Sequence, residues 1–447
     1  MEREGILKLL DERKFIQVRR IIQEQNAVDF AEFIEEIEED PRALLLFRLL
    51  PKEMAAEVFS YLDHDIQQRI VEGITDKELA GIIDELFLDD TVDFIDEMPA
   101  SIVKRVIKMA SSDIRGHINQ LLMYPDESAG SIMTIEFMEI DSDWRVGRAL
   151  RAIRQQSEDK ESISTLFVTD EQRHLQGIVG LRSILVAEDS VLVGDLMKTD
   201  VLSVSTHDDQ AEVARIFQKY DLLSIPVVDQ ENRLVGIITI DDIVDVMEEE
   251  TTEDIYKMAA MQPIQEGYMD TGVLTLARKR IGWLMVLMVS ATFTGMIIQN
   301  YNSALAANVL LASFIPMLMD TSGNAGSQAS VSIIRGLVLG EVELKNIFTV
   351  IWKEFRVSLV VGGVIALFNY FRILLLQHDA AVAAVVAITI FCAVVASKIV
   401  GCTLPLIATR LKLDPALMAS PMITTIVDAI ALLVYFNVAS VLLPELR

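Results

Sequence analysis

Three hydrophobic rhythms follow one another along the chain. Up to about residue 130, apolar residues recur at helical spacing in short units such as PKEMAAEVFSYL (51–62), DKELAGIIDELF (76–87) and DDTVDFIDEMP (89–99). Each unit opens on an acid or a proline and continues as a short amphipathic stripe. This predicts a stack of small helices with a superhelical repeat. Between residues 131 and 250 the pattern changes to a duplicated α/β unit. SISTLFVTDEQRHLQGIVGLRSIL (162–185) is echoed by LLSIPVVDQENRLVGIITIDDIV (222–244). Each copy reads as a strand, an acidic turn, a second strand ending near glycine and a helix start. Each is preceded by a helix, WRVGRALRAIRQQ (144–156) and QAEVARIFQKY (210–220). From Ile281 the apolar runs lengthen. Ile281–Tyr301 is 21 residues without a charge, enough to cross about 30 Å of hydrocarbon. Further runs at 304–334, 357–376, 380–408 and 416–443 predict five spans in all. The expected fold is multidomain: an all-α superhelical domain (1–130), an α/β tandem (131–250), a connecting helix (251–280) and a polytopic α-helical membrane domain (281–447).

Charge sharpens this division. The net charge is −27, but residues 1–280 hold 58 acids against 30 bases, and residues 281–447 hold 8 against 9. Such an acidic half repels nucleic acid and attracts cations. Arg278–Arg280, Lys345, Lys353, Arg356, Arg410 and Lys412 flank the apolar runs and mark cytoplasmic loops. Five spans then leave the amino terminus inside and the carboxyl terminus outside. The start MEREGILKLLDERKF has no long apolar core, which predicts no signal peptide and a cytoplasmic acidic half. Cys392 and Cys402, ten residues apart in one apolar run, read as packing residues out of disulfide reach.

The candidate chemistry is carried by oxygen. Asp428 stands near the middle of the last span, where an ionised acid costs about 2.5–3.5 kcal/mol. Pro421, Thr424 and Asp428 fall at i, i+3 and i+7, with Thr425 beside them, and Asp414 lies fourteen residues before Asp428. On a continuous helix these make one polar stripe, with the carbonyl of Leu417 freed by Pro421. The second span offers Asp320, Asn324 and Gln328 at i, i+4 and i+8, with Pro316, Gly323 and Gly326. Soft ligands dominate neither stripe, so hard cations are favoured. In the soluble half, Asp89, Asp90, Asp93, Asp96 and Glu97 crowd one stretch. Asp242, Asp245 and Glu249 share one face of a predicted helix, and Asp221 lies on the preceding loop. DTSG (320–323) matches an aspartic-protease loop, but no second such loop appears and the context is helical. No phosphate loop, nucleophile elbow or HExxH motif is present, so no enzyme is expected.

The duplicated unit resembles a tandem pair of CBS (cystathionine β-synthase type) modules. That family often holds adenosine ribose with Gly-x-x-Thr/Ser-x-x-Asp. The second copy has Gly236, Thr239 and Asp242; the first departs, with Gly177, Gly180 and Ser183. The resemblance makes Thr239 and Asp242 candidate contacts for a nucleotide such as ATP. PMLMDTSGNAGSQ (316–328) and DPALMASPMITTIVD (414–428), behind an acidic helical domain and a CBS pair, resemble the MgtE family of magnesium channels and transporters. One departure is Ser322, where the family usually has glycine. The resemblance implies a homodimer in lipid whose pore lies between subunits, with Asp428, Asp414, Thr424, Thr425 and Asn324 along the ion path. It further implies Mg²⁺ as both substrate and regulator. Asp89, Asp90 and Asp93 join Asp221, Asp242, Asp245, Glu250, Glu253 and Asp254 as regulatory positions, with Ala211 where relatives can carry an acid. A nucleotide-regulated secondary transporter of Mg²⁺, Mn²⁺ or Co²⁺ is the alternative.

Overall fold

The computed structural model describes residues 3–443 except 39, 97, 158–159, 265–267, 270 and 419. Glu97 therefore lies outside the described residues. Two compact units are present, residues 1–247 and 248–447.

Among the described residues, the first unit opens with ten short helices between Arg3 and Leu121. Local chemistry starts and stops them. Thr75, for instance, accepts the Glu78 N–H while Glu78 reaches back to the Thr75 N–H, a reciprocal cap. Their apolar stripes meet in one core that includes Phe30, Phe33, Phe59 and Phe94, all nearly inaccessible. The helix that matters below is α1 (Leu88–Asp96).

Two three-stranded sheets follow. The first contains β1 (Phe137–Asp141), β2 (Ser162–Thr169) and β3 (Leu175–Gly180). The second contains β4 (Val204–Ser205), β5 (Ser224–Val228) and β6 (Leu234–Thr239), with α2 (Gln210–Tyr220) packed between β4 and β5 in the chain. In each sheet the first pair is parallel and the second antiparallel, so the duplication seen in sequence is a duplication of topology.

The two copies interlock. Thr134 exchanges both backbone hydrogen bonds with Ile237 of β6, and Lys198 does the same with Ile178 of β3. Each copy therefore lends a segment to the other's sheet. This also explains two glycines: a Cβ on Gly236 would stand 2.9 Å from the Thr134 carbonyl oxygen, and one on Gly177 2.8 Å from that of Lys198. The glycines at these motif positions are required by backbone approach whether or not a nucleotide binds.

After β6, α3 (Ile240–Met258) runs for 19 residues. The second unit is built from α4 (Val273–Asn300), α5 (Leu310–Val338), α6 (Ile347–Gln377), α7 (Ala380–Arg410) and α8 (Ser420–Leu442). The helices around α4, α6, α7 and α8 are long and apolar enough to cross a membrane. At 29 residues α5 is long enough, but Asp320, Asn324, Ser327 and Gln328 lower its hydropathy. Helices α4 and α6 begin eight and ten residues before the runs read from sequence, because the basic residues before each run continue the helix. Both cysteines are free.

Candidate ion site

In the first unit, α1 and the start of α3 bring acids together. Asp89 is 6% exposed, and burial, then the charges of Asp242 and Asp90, push its carboxyl well above the ordinary range. Burial and the charges of Asp241, Glu136 and Asp245 push Asp90 to about 6. Burial likewise carries Asp242 to about 7, against the opposing hydrogen bond from Thr239 Oγ1 at 2.7 Å and with Asp241 and Asp90 adding to the rise. Sequence reasoning missed a main member, Glu161. Burial, with Asp241, Asp242, Asp90 and Glu136 around it, raises Glu161 to about 8, and its Oε2 is buried without a hydrogen-bond partner. Glu136 accepts the Leu88 N–H at 2.9 Å and so anchors α1. Each sits immediately before a strand, Glu136 before β1 and Glu161 before β2, with no helical periodicity to betray it.

Two other expected members are exposed to solvent. Asp93 is on the exposed side of α1. Asp221 is the exposed C-cap of α2, in the left-handed conformation at φ 50°. Among the described residues no three His, Cys, Asp or Glu side chains converge tightly enough to chelate a metal. The cluster is thus a set of mutually repelling oxygens. That suits a cation which keeps its water and is held through it, as Mg²⁺ does.

In the second unit, α5, α7 and α8 meet at glycines. A Cβ on Gly323 would lie 2.9 Å from Thr424 Cγ2, one on Gly326 2.7 Å from Ile423 Cγ2, and one on Gly401 2.2 Å from the Gly326 carbonyl oxygen. This contact sets α5 beside Asp428, which is half-buried on α8. Asp320 lies near enough for its carboxylate to act on Asp428. Asp320, Asn324 and Gln328 form an exposed polar face of α5, as their spacing predicts, while Ser322, Gly323, Ala325 and Gly326 are buried. Ser322 donates its hydroxyl to the carbonyls of Leu318 and Met319, so the serine is satisfied inside the helix.

Two expectations are corrected. Asp414 is not on the same helix as Asp428, because a 3₁₀ turn (Pro415–Met418) intervenes and α8 starts at Ser420. Pro421 consequently sits in the first turn of α8, where its missing N–H leaves no gap. The Pro421 carbonyl instead accepts the hydroxyls of Thr424 and Thr425, at 2.9 and 3.0 Å. Asp414 caps that turn through Oδ1, 2.8 Å from the Ala416 N–H. Its Oδ2 is 2.6 Å from Lys257 Nζ, which also lies 2.8 Å from Glu253. Glu250 and Asp254 are half-buried on the same helix. A further charge went unread within the fourth apolar run: Lys398 on α7, 7% exposed, lies 3.7 Å from Glu354 on α6.

Family models match in the same order as these parts. The model described as MgtE intracellular N domain covers residues 25–127, CBS domain covers 129–189 and 193–249, and Divalent cation transporter covers 315–438. The magnesium transporter MgtE of Thermus thermophilus is 34% identical over 430 residues, 95% of each chain. That of Bacillus subtilis is 32% identical over 441 residues, 99% of this chain and 97% of the relative. Among solved structures, the cytosolic domain of the Mg²⁺ channel MgtE in complex with ATP is 33% identical with a TM-score of 0.52, covering 55% of this chain and 99% of its own. Both the full-length relatives and the ordered domain matches give one result: the chain is a membrane protein and belongs to the MgtE family.

Proposed function

We propose that this chain carries Mg²⁺ into the cell across the plasma membrane, through a pore at a homodimer interface, under the control of cytosolic Mg²⁺. The observation that carries the reading is the polar face of α5 beside Asp428. An exposed row of Asp320, Asn324 and Gln328 within an apolar unit has no place against lipid. A second copy facing it across a two-fold axis would enclose the row in water. Two Asp428 carboxylates could then hold an ion that keeps most of its hydration shell, with Asn324, Thr424 and Thr425 along the path. On this reading the organisation is 1–130 helical domain, 131–250 CBS pair, 251–280 connecting segment and 281–447 five-helix membrane domain, with α5 the fifth crossing.

The regulatory half follows from the acidic cluster. Asp89, Asp90, Asp242 and Asp245, with Glu161, would hold Mg²⁺ through its water. Bound there, the ion supplies positive charge that offsets carboxylate repulsion. The compact arrangement of α1 and α3 is favoured by the ion's differential affinity for it. Thr239 and Asp242 leave the second module a place for ATP, consistent with the ATP-bound relative. Their mutual hydrogen bond is the contact a ribose would exchange.

Flux into liposomes tests the pore. Asp428→Ala should abolish Mg²⁺ uptake while Val360→Ala, on the exposed apolar side of α6, leaves it intact. Wild-type uptake by Asp428→Ala would end this reading.

A further inference from the structure

Glu253, assigned to a regulatory metal, and Asp414, assigned to the ion path, already share a cation. Lys257, in the last turn of α3, lies one turn beyond Glu253 and reaches across to Asp414. All three side chains are about two-thirds or more buried, at 23%, 32% and 29% exposure. Asp414 is fixed by its cap to Ala416, in the turn that leads into α8 and Asp428. The ammonium is therefore a tie between the end of α3 and the entrance to the helix that bears Asp428.

We infer that Lys257 is a built-in occupant of the Glu253–Asp414 joint. It closes the joint without a divalent ion, and it must be displaced before a divalent ion can use both carboxylates. The inference rests on the Mg²⁺-regulated reading above and adds to it a residue of opposite charge. The reasoning is electrostatic. An ammonium at ion-pair distance from both carboxylates neutralises most of their mutual repulsion, so the joint stays shut when Mg²⁺ is absent. Without the ammonium, two carboxylates face each other and separate, or take up a cation from solution. A divalent ion competes with the ammonium for the same oxygens. Its apparent affinity at this joint is lowered by what the two ion pairs contribute, roughly threefold or more for partly exposed pairs.

The test is hydrogen–deuterium exchange on the full chain in lipid nanodiscs. Peptides covering 248–258 and 411–418 are followed with EDTA and through a Mg²⁺ titration, for wild type, Lys257→Met and Lys257→Arg. In wild type the joint should be protected in EDTA and little changed by Mg²⁺. In Lys257→Met it should exchange faster in EDTA and regain protection as Mg²⁺ is added, whereas Lys257→Arg should behave as wild type. Continued protection of Lys257→Met in EDTA would overturn the inference. So would exchange that Mg²⁺ fails to slow, which would make Lys257 a strut and not an occupant of an ion site. Peptides covering α1 serve as an internal control. If Mg²⁺ leaves them unchanged in wild type, the regulatory reading fails whatever Lys257 does.

Discussion

At the scale of single residues, the membrane unit depends on groups that allow no substitution and on one pair that must stay together. Gly401 meets the backbone of Gly326 so closely that a methyl group would overlap a carbonyl oxygen. Backbone cannot step aside as a flexible side chain can. Gly401→Ala should cost about 1–3 kcal/mol or more, read as a lower melting temperature in detergent, while Gly363→Ala, with open space at its Cβ, should not. Lys398 is buried and Glu354, at 15% exposure, largely so. Removing either partner strands the other, at about 3–5 kcal/mol. A thermal-melting cycle should find Lys398→Met and Glu354→Gln each strongly destabilising, and Lys398→Met with Glu354→Leu much less so. Both charges were visible in the sequence, but nothing in the apolar pattern said that they met.

At the scale of elements, α1 and α3 form a charged junction whose protonation follows from burial. Asp90, Asp242 and Glu161 are raised to about 6, 7 and 8, against about 4 for carboxyls in an unfolded chain. Between those limits the folded state binds more protons than the unfolded state. Stability then falls as pH rises from about 4 through about 8. In EDTA the soluble half should therefore melt at a lower temperature at pH 8 than at pH 5, and Mg²⁺ should recover more stability at the higher pH. Asp242→Asn should flatten the pH dependence. The sequence showed Asp242 and Asp245 on one helical face and Asp89 and Asp90 on another short helix. It gave no reason to bring Glu161, just before β2, between them. The break before α8 was equally hidden, because Pro415 and Pro421 suit either a kink or a fresh start.

For the molecule as a whole, the proposed dimer pore sets the exposed polar face of α5 against the same face of a second copy. If two copies enclose the pore, cysteine at position 324, placed on a background lacking Cys392 and Cys402, should cross-link chain to chain with a short reagent. Val360→Cys, on the exposed apolar side of α6, should not. Monomeric protein in both cases would remove the dimer pore from the account. The division of charge between an acidic half and a nearly neutral membrane half fits one polypeptide that senses and conducts the same ion.

The order of helical, α/β and membrane parts was legible from periodicity alone, because apolar spacing reports which face of an element is buried. The polar row on α5 was legible for the same reason: residues four apart must share a helix face. What periodicity lacks is distance between elements. Only the folded chain could set Glu161 among the acids of α1 and α3, place Lys257 on Asp414 and hide Lys398 beside Glu354. Those contacts join positions tens to hundreds of residues apart, and a charge in sequence carries no address for the charge it will meet.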